Sequence, residues 1–156
     1  MPPKPAAPRP ASRLGGLVAL LALAAAAGCA AATGGGTGAP SSANAEIYSA
    51  WQQHRSPLEV TARGTVVKVL GIRSGPSGRH EGFLVHLTGN EAHDITIRVE
   101  DNIDLTGPIP LHSGDDVEIR GEYIFDPRGG IVHYTHRDPR GRHPSGYVRV
   151  NGRIYS

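Results

Sequence analysis

The chain has few of the residues that staple or crowd a small fold. Its 156 residues include one cysteine, one methionine, one tryptophan and two phenylalanines. A single cysteine excludes an internal disulfide in any redox compartment. The chain contains no HExxH, CxxC or GxSxG spacing, so no ready-made zinc-protease, dithiol or serine-hydrolase motif is present. It also lacks a run of about 20 apolar residues, the length a spanning helix needs. The longest apolar stretch, Leu14–Ala27, is shorter than that.

What stands around that stretch gives it a meaning. Lys4, Arg9 and Arg13 precede it with no acidic residue, and small residues follow it. This is the charged, apolar and small-residue order of a secretory signal. Ala26-Ala27-Gly28-Cys29 resembles the bacterial lipobox, with Ala26 where Leu is usual. Two outcomes are compatible with the segment: lipidation of Cys29 after cleavage, or ordinary cleavage near Ala30–Ala32. The position of the only cysteine favours the first. Ala30–Ser42 is a Gly/Ala/Ser/Thr stretch without periodicity, and a flexible coil of that length reaches about 20 Å from its anchor.

Discounting the leader removes the apparent basic character. Sixteen Lys and Arg, less the three in the leader, leave thirteen against fourteen acids. The remaining charge is segregated. Glu81–Asp126 is strongly acidic, whereas Arg128–Ser156 sets six arginines against Asp138 alone. Such blocks govern partners and solubility more than fold.

The rest of the chain reads as a short helix followed by β structure. Asn44 is placed to cap a helix over Ala45–Arg55, with Ile47 and Trp51 four apart on one face and Pro57 ending it. Leu58–Leu70 is Val-rich, and Gly64 within it signals a bulge or bend. Gly71–Gly82 reads as a loop. Phe83–Leu87 and His93–Val99 alternate as half-buried antiparallel strands, with a turn at Thr88–Glu91 between them. Glu100–Leu111, with two prolines, reads as a crossover. Asp116–Phe125 and Ile131–His136 are strands joined by Asp126-Pro127-Arg128-Gly129, a type I turn sequence that recurs at Asp138-Pro139-Arg140-Gly141. Val148–Val150 and Arg153–Tyr155 flank Asn151-Gly152, a strong hairpin signal.

Several segments carry a resemblance in order and spacing: His80-Glu81-Gly82-Phe83, Asn102-Ile103-Asp104-Leu105, Ile109-Pro110-Leu111, Gly121-Glu122-Tyr123 and Gly129–Pro139. Together they resemble the bacterial domain-of-unknown-function family 3465 over Leu58 to Tyr155. The resemblance implies a small exported protein and assigns no activity. Tyr134 and Tyr147 stand where that family tends to have Trp, and Asp101 where it tends to have His.

Gly129–Tyr147 concentrates His133, His136 and His143 with Arg137, Arg140 and Arg142. One reading is a divalent-metal site, zinc for example, in which these histidines are completed by His80, Asp101, Asp104 or Asp138. In a regular strand, however, His133 and His136 point to opposite faces, so they converge only if the strand breaks near Thr135. Turn chemistry alone accounts for Asp126 and Asp138. His80 with Glu122 or Asp104 offers a general-base pair, and Arg137, Arg140 and Arg142 offer anion contacts. Arginines interleaved with Tyr134 and Tyr147 loosely fit a nucleic-acid groove, which the acidic middle and export disfavour.

The sequence therefore predicts an all-β fold: a small five-stranded OB-like barrel with a short N-terminal helix, ahead of an SH3-like barrel or small sandwich. The expected divisions are a signal peptide with a lipobox-like Cys29 over 1–29, a linker over 30–43, the helix over 44–57 and the barrel over 58–156. The expected role is an exported module, anchored to a bacterial membrane through Cys29 and facing the periplasm or exterior, that binds an envelope ligand or protein. The alternative is a metal-dependent hydrolase or nuclease-like enzyme built on the His133/His136 segment. Labelled palmitate supplied to producing cells should be incorporated into the chain, and Cys29→Ser should abolish the label. Incorporation unchanged in that variant would rule out lipidation at Cys29.

Overall fold

The computed structural model describes residues 42–89 and 94–156. The expected signal peptide, Cys29 and most of the linker lie outside the described residues, as do Asn90, Glu91 and His93 of the Thr88–Val99 region.

Helix α1 spans Ser42–Gln52, beginning inside the expected linker. Residues 44, 47, 48 and 51 share one stripe at helical spacing. Ile47 and Tyr48 are buried in the core and Trp51 packs half-buried against it. Asn44, expected as a cap, lies within the helix instead and is fully buried on the same stripe. Its amide pins α1 to the sheet. Nδ2 donates to the carbonyls of Arg63 (2.7 Å) and Thr88 (2.8 Å), and Oδ1 accepts from the Arg63 N–H (2.9 Å). The helix ends well before Pro57, with His54 in the left-handed region at φ 53°.

Strand β1 runs over Leu58–Gly75 and β2 over Gly78–Leu87. The expected Gly71–Gly82 loop is therefore mostly paired strand, from Gly71↔Gly82 to Gly75↔Gly78. Its glycines and serine read as loop residues, but backbone pairing asks nothing of their side chains. Gly64 is not the bulge. The ladder slips at Val67 and Leu70, and the two added residues strengthen the coil of a long strand. At Gly64 β1 pairs on both sides, with Leu87 of β2 and with Val117 further along the chain. A Cβ there would stand 2.1 Å from the His86 carbonyl oxygen, so the position requires glycine because of close approach.

Strand β3 (Thr96–Asn102) extends three residues into the expected crossover. It is followed by a single helical turn, α2 (Ile103–Thr106), capped by the Asn102 side chain. Strands β4 (Asp116–Ile124), β5 (Ile131–His133), β6 (Tyr147–Val150) and β7 (Arg153–Tyr155) complete the domain. The sheet order is β1-β2-β3-β5-β4-β6-β7, and a further β1–β4 pairing closes β1, β2, β3, β5 and β4 into a ring of five. The β3–β5 contact is parallel and the other pairings are antiparallel. The hairpin turn at Asn151-Gly152 has both residues at positive φ, as a primed turn requires. Alternate residues fill the ring: Val60, Ala62, Phe83, Val85, Ile97, Val99, Ile119, Tyr123 and Val132, with α1 covering part of this core.

Asn44 supplies the polar tie between α1 and the sheet. Asn44→Ala should cost about 3 kcal/mol, because it strands buried backbone groups as well as removing three hydrogen bonds. The exposed Glu46→Ala should cost less than about 0.5 kcal/mol. Denaturant unfolding measures both, and equal losses would show that the buried amide is not the tie.

Candidate functional site

Strands β5 and β6 follow the same edge of β4. His133 pairs with Glu122 and Tyr147 pairs with Arg120. Only Gly121 separates these two positions on β4, whereas residues 134–146 loop away between them. The expected strand Ile131–His136 thus ends at His133. The break comes at Tyr134, one residue before the expected Thr135, where φ is 53°. That backbone conformation is costly for a bulky residue. At the neck of the loop the Gly146 N–H donates to the His136 carbonyl (2.9 Å).

The looped segment forms one wall of a cleft of about 1040 Å³. The break turns His133 and His136 toward it together, which a continuous strand would forbid. His80, Asp104, His133, His136, Asp138, Arg140, Arg142 and His143 all line it. Asp101 is buried outside the lining, and Arg137 is exposed outside it.

Tyr134 organises the aromatic part. Its ring lies 4.1 Å from that of His133, at 25°, and 4.1 Å from that of His143, at 9°. Two near-parallel rings at that distance can only occupy opposite faces, so Tyr134 is sandwiched. His136 stands edge-on to Tyr134 at 6.4 Å and to His143 at 5.0 Å. Such contacts add about 0.5–1.5 kcal/mol per aromatic pair beyond burial and help offset the strain at Tyr134.

Most acids around the cleft are already engaged. Asp104 accepts from the Arg79 backbone (2.9 Å) and guanidinium (2.7 Å), and these bonds hold its carboxyl below the usual range. Glu100 pairs with Arg98. Asp138 starts the second Asp-Pro turn and accepts from the backbone N–H groups of Arg140 (2.8 Å), Arg142 and His143 (3.0 Å). Burial raises its pKa, but the three donors prevail and hold it at about 2. His133 Nε2 meets Glu122 Oε1 at 3.0 Å. Glu122 therefore partners His133, not His80 as one expected general-base pair had it.

Two carboxylates that sequence reasoning left out, Glu81 and Glu59, also belong here. Glu81 and Asp101 are direct partners in the β2–β3 ladder, and both are buried. Asp101 accepts from the Thr135 hydroxyl (2.6 Å) and from Thr106, and Glu81 from the Ile109 N–H (3.1 Å). Burial raises the pKa of both. Glu81 carries the parity of Phe83 and Val85, and an acid in register with an apolar face was the signal available for it. Glu59 lies opposite Glu122, and both its carboxylate oxygens are buried without a hydrogen-bond partner. Burial foremost, then the Glu122 charge, raises its pKa. Glu122, named in the sequence as a partner for His80, takes its role instead from its ladder position opposite His133.

Among the described residues no group of three or more His, Cys, Asp and Glu side chains is arranged to hold a metal ion. The interleaved arginines also divide. Arg128 pairs with Asp126 and Arg149 with Glu118, while the Tyr147 hydroxyl donates to Glu118 (2.7 Å).

Fold and site together define a small, mainly β domain: a ring of five strands with a loop-built cleft on its flank. The chain matches the family described as "Protein of unknown function (DUF3465)" over residues 35–156, and it belongs to that family. No curated protein and no solved structure matches it.

Asp138 fixes the wall of the cleft through its ionised carboxylate. Because its folded pKa lies below the ordinary value of 3.8, its stabilising contribution is present above about pH 4 and is lost as the pH falls toward 2. Asp138→Asn can no longer accept from all three backbone donors. The upfield ring-current shift that Tyr134 imposes on the His143 ring protons should then collapse near pH 7, as read by NMR. Retention of the full shift would show that the wall is held by something else.

Proposed function

We propose that the chain is an exported, lipid-anchored module with an OB-like barrel, and that it binds an envelope ligand in the cleft formed by residues 134–146. The strand order β1-β2-β3-β5-β4, closed by β1–β4 with β3 and β5 parallel, supports the OB-like assignment. The observation that carries the binding reading is the convergence of eight chemically capable side chains on one cleft whose walls are internally tied. Ligand sites are typically preformed concavities with a few placed polar groups. Export and anchoring rest on the basic–apolar–small order of the leader and the position of Cys29.

The metal-dependent hydrolase alternative needs a shell of free ligands. Here Asp104, Asp138 and the His133–Glu122 pair are engaged with protein partners.

The full chain carrying Cys29→Ser should co-sediment with a bacterial envelope fraction and contain less than about 0.1 zinc per chain. Removing both stacked rings with Tyr134→Ala and His143→Ala should reduce co-sedimentation about tenfold. Stoichiometric zinc lost in His133→Ala and His136→Ala, together with phosphodiester hydrolysis, would overturn the binding reading in favour of the enzyme.

A further inference from the structure

We infer that the group recognised in this cleft is a phosphate monoester, seated by Arg140 and Arg142. The inference rests on the binding reading above and names the chemistry of its ligand. The first step is the balance of charge. Asp104 is neutralised by Arg79 and Glu100 by Arg98, and Asp138 is satisfied by backbone donors. Against these, Arg140 and Arg142 line the cleft, and among the described residues they hydrogen-bond through their backbone N–H groups, with no ion pair or hydrogen bond from their side chains. Glu59, the unpaired carboxylate nearby, lies outside the lining. With the ionised Asp138 counted against Arg140 and Arg142, the lining keeps one positive charge in excess, carried on two forked donors.

The second step is the backbone beneath them. Asp138 gathers the N–H groups of Arg140 and Arg142, so the two stems leave one fixed turn. Two guanidinium forks springing from one turn suit a tetrahedral oxyanion with several acceptor oxygens. A phosphate monoester carries about −1.5 to −2 charge near pH 7 and offers three terminal acceptor oxygens, enough to engage both guanidiniums. A single carboxylate offers two acceptor oxygens, which one guanidinium fork already occupies. Imidazoles of His80, His136 and His143 share the lining, each with Nδ1 turned to a backbone carbonyl, those of Gly78, Arg137 and Pro144.

The third step excludes the main competitor. Single-stranded nucleic acid is held by stacking bases on open aromatic faces. Both faces of Tyr134 are covered by His133 and His143, so the cleft has cations but no open Tyr134 platform.

Calorimetric titration of the full Cys29→Ser chain with inorganic phosphate and glycerol phosphate, and flotation with phosphatidic-acid vesicles, separate a soluble from a lipid source of the group. Binding should appear in at least one arm. Arg140→Ala and Arg142→Ala should each weaken it about tenfold, with partial rescue by Lys. Arg137→Ala, exposed on the same loop but outside the lining, should leave it unchanged, and melting temperatures of all variants should match the parent. Equal loss with Arg137→Ala, tighter binding of a single-stranded oligonucleotide, or no binding in any arm would overturn the assignment. If the chain still co-sediments with envelopes while phosphate neither binds nor competes, the phosphate assignment fails and the binding reading stands. If co-sedimentation is also absent, the binding reading fails with it.

Discussion

The cleft depends on backbone approach at its neck, where two glycines leave room that no other residue would. A Cβ on Gly121 of β4 would stand 2.3 Å from the His133 carbonyl oxygen. One on Gly146 would stand 2.1 Å from the Tyr134 oxygen and 2.4 Å from that of Arg120. These contacts are with backbone, which cannot move aside like a flexible side chain. Gly121 therefore lets β5 end tight against β4, and Gly146 lets the returning chain pass beneath Tyr134 to resume the same edge as β6. The loop is an excursion from one continuous strand edge, and both its ends are fixed by the sheet.

That anchoring explains how a strained residue persists at the break. Tyr134 holds a left-handed backbone, yet its neighbours on either side are bound. His133 is paired to β4 and bonded to Glu122, and Thr135 is buried and bonded to Asp101. The ring sandwich then fixes the side chain. Strain of this kind survives where the surroundings over-determine the conformation. Here they do so through a strand ladder, a buried carboxylate and two imidazoles, each from a different part of the chain.

Much of the scaffold was legible because it follows local rules. Alternation revealed the second half of β2 and the first half of β3, and Asn151-Gly152 declared its hairpin. Asp126-Pro127 and Asp138-Pro139 both close turns in which the first Asp side chain bonds the backbone. The failures share a cause in tertiary context. Asn44 looks like a cap until its burial between Arg63 and Thr88 is known. Gly64 and Gly121 look like weak points in strands until the backbones they admit are in place. The gathering of histidines was visible, but its geometry depended on a break that spacing could place only to within a residue. Glu59 gave the least warning, since its role appears only once β1 and β4 bring it opposite Glu122.

The same logic distinguishes the carboxylates from the arginines of the site. Buried acids are costly unless satisfied, and in this domain most have partners supplied by the fold: threonines for Asp101, a backbone amide for Glu81, a turn for Asp138. Those partners make them structural. Arg140 and Arg142 line the cleft and have only their backbones committed to the fold, through Asp138. A side chain whose stem is fixed by the fold and whose charged end has no partner within it is positioned for something outside the chain. In this cleft the separation between what holds the wall and what faces the opening runs through a single residue, Asp138, whose carboxylate takes up the backbone N–H groups of Arg140, Arg142 and His143 and makes no hydrogen bond to either guanidinium.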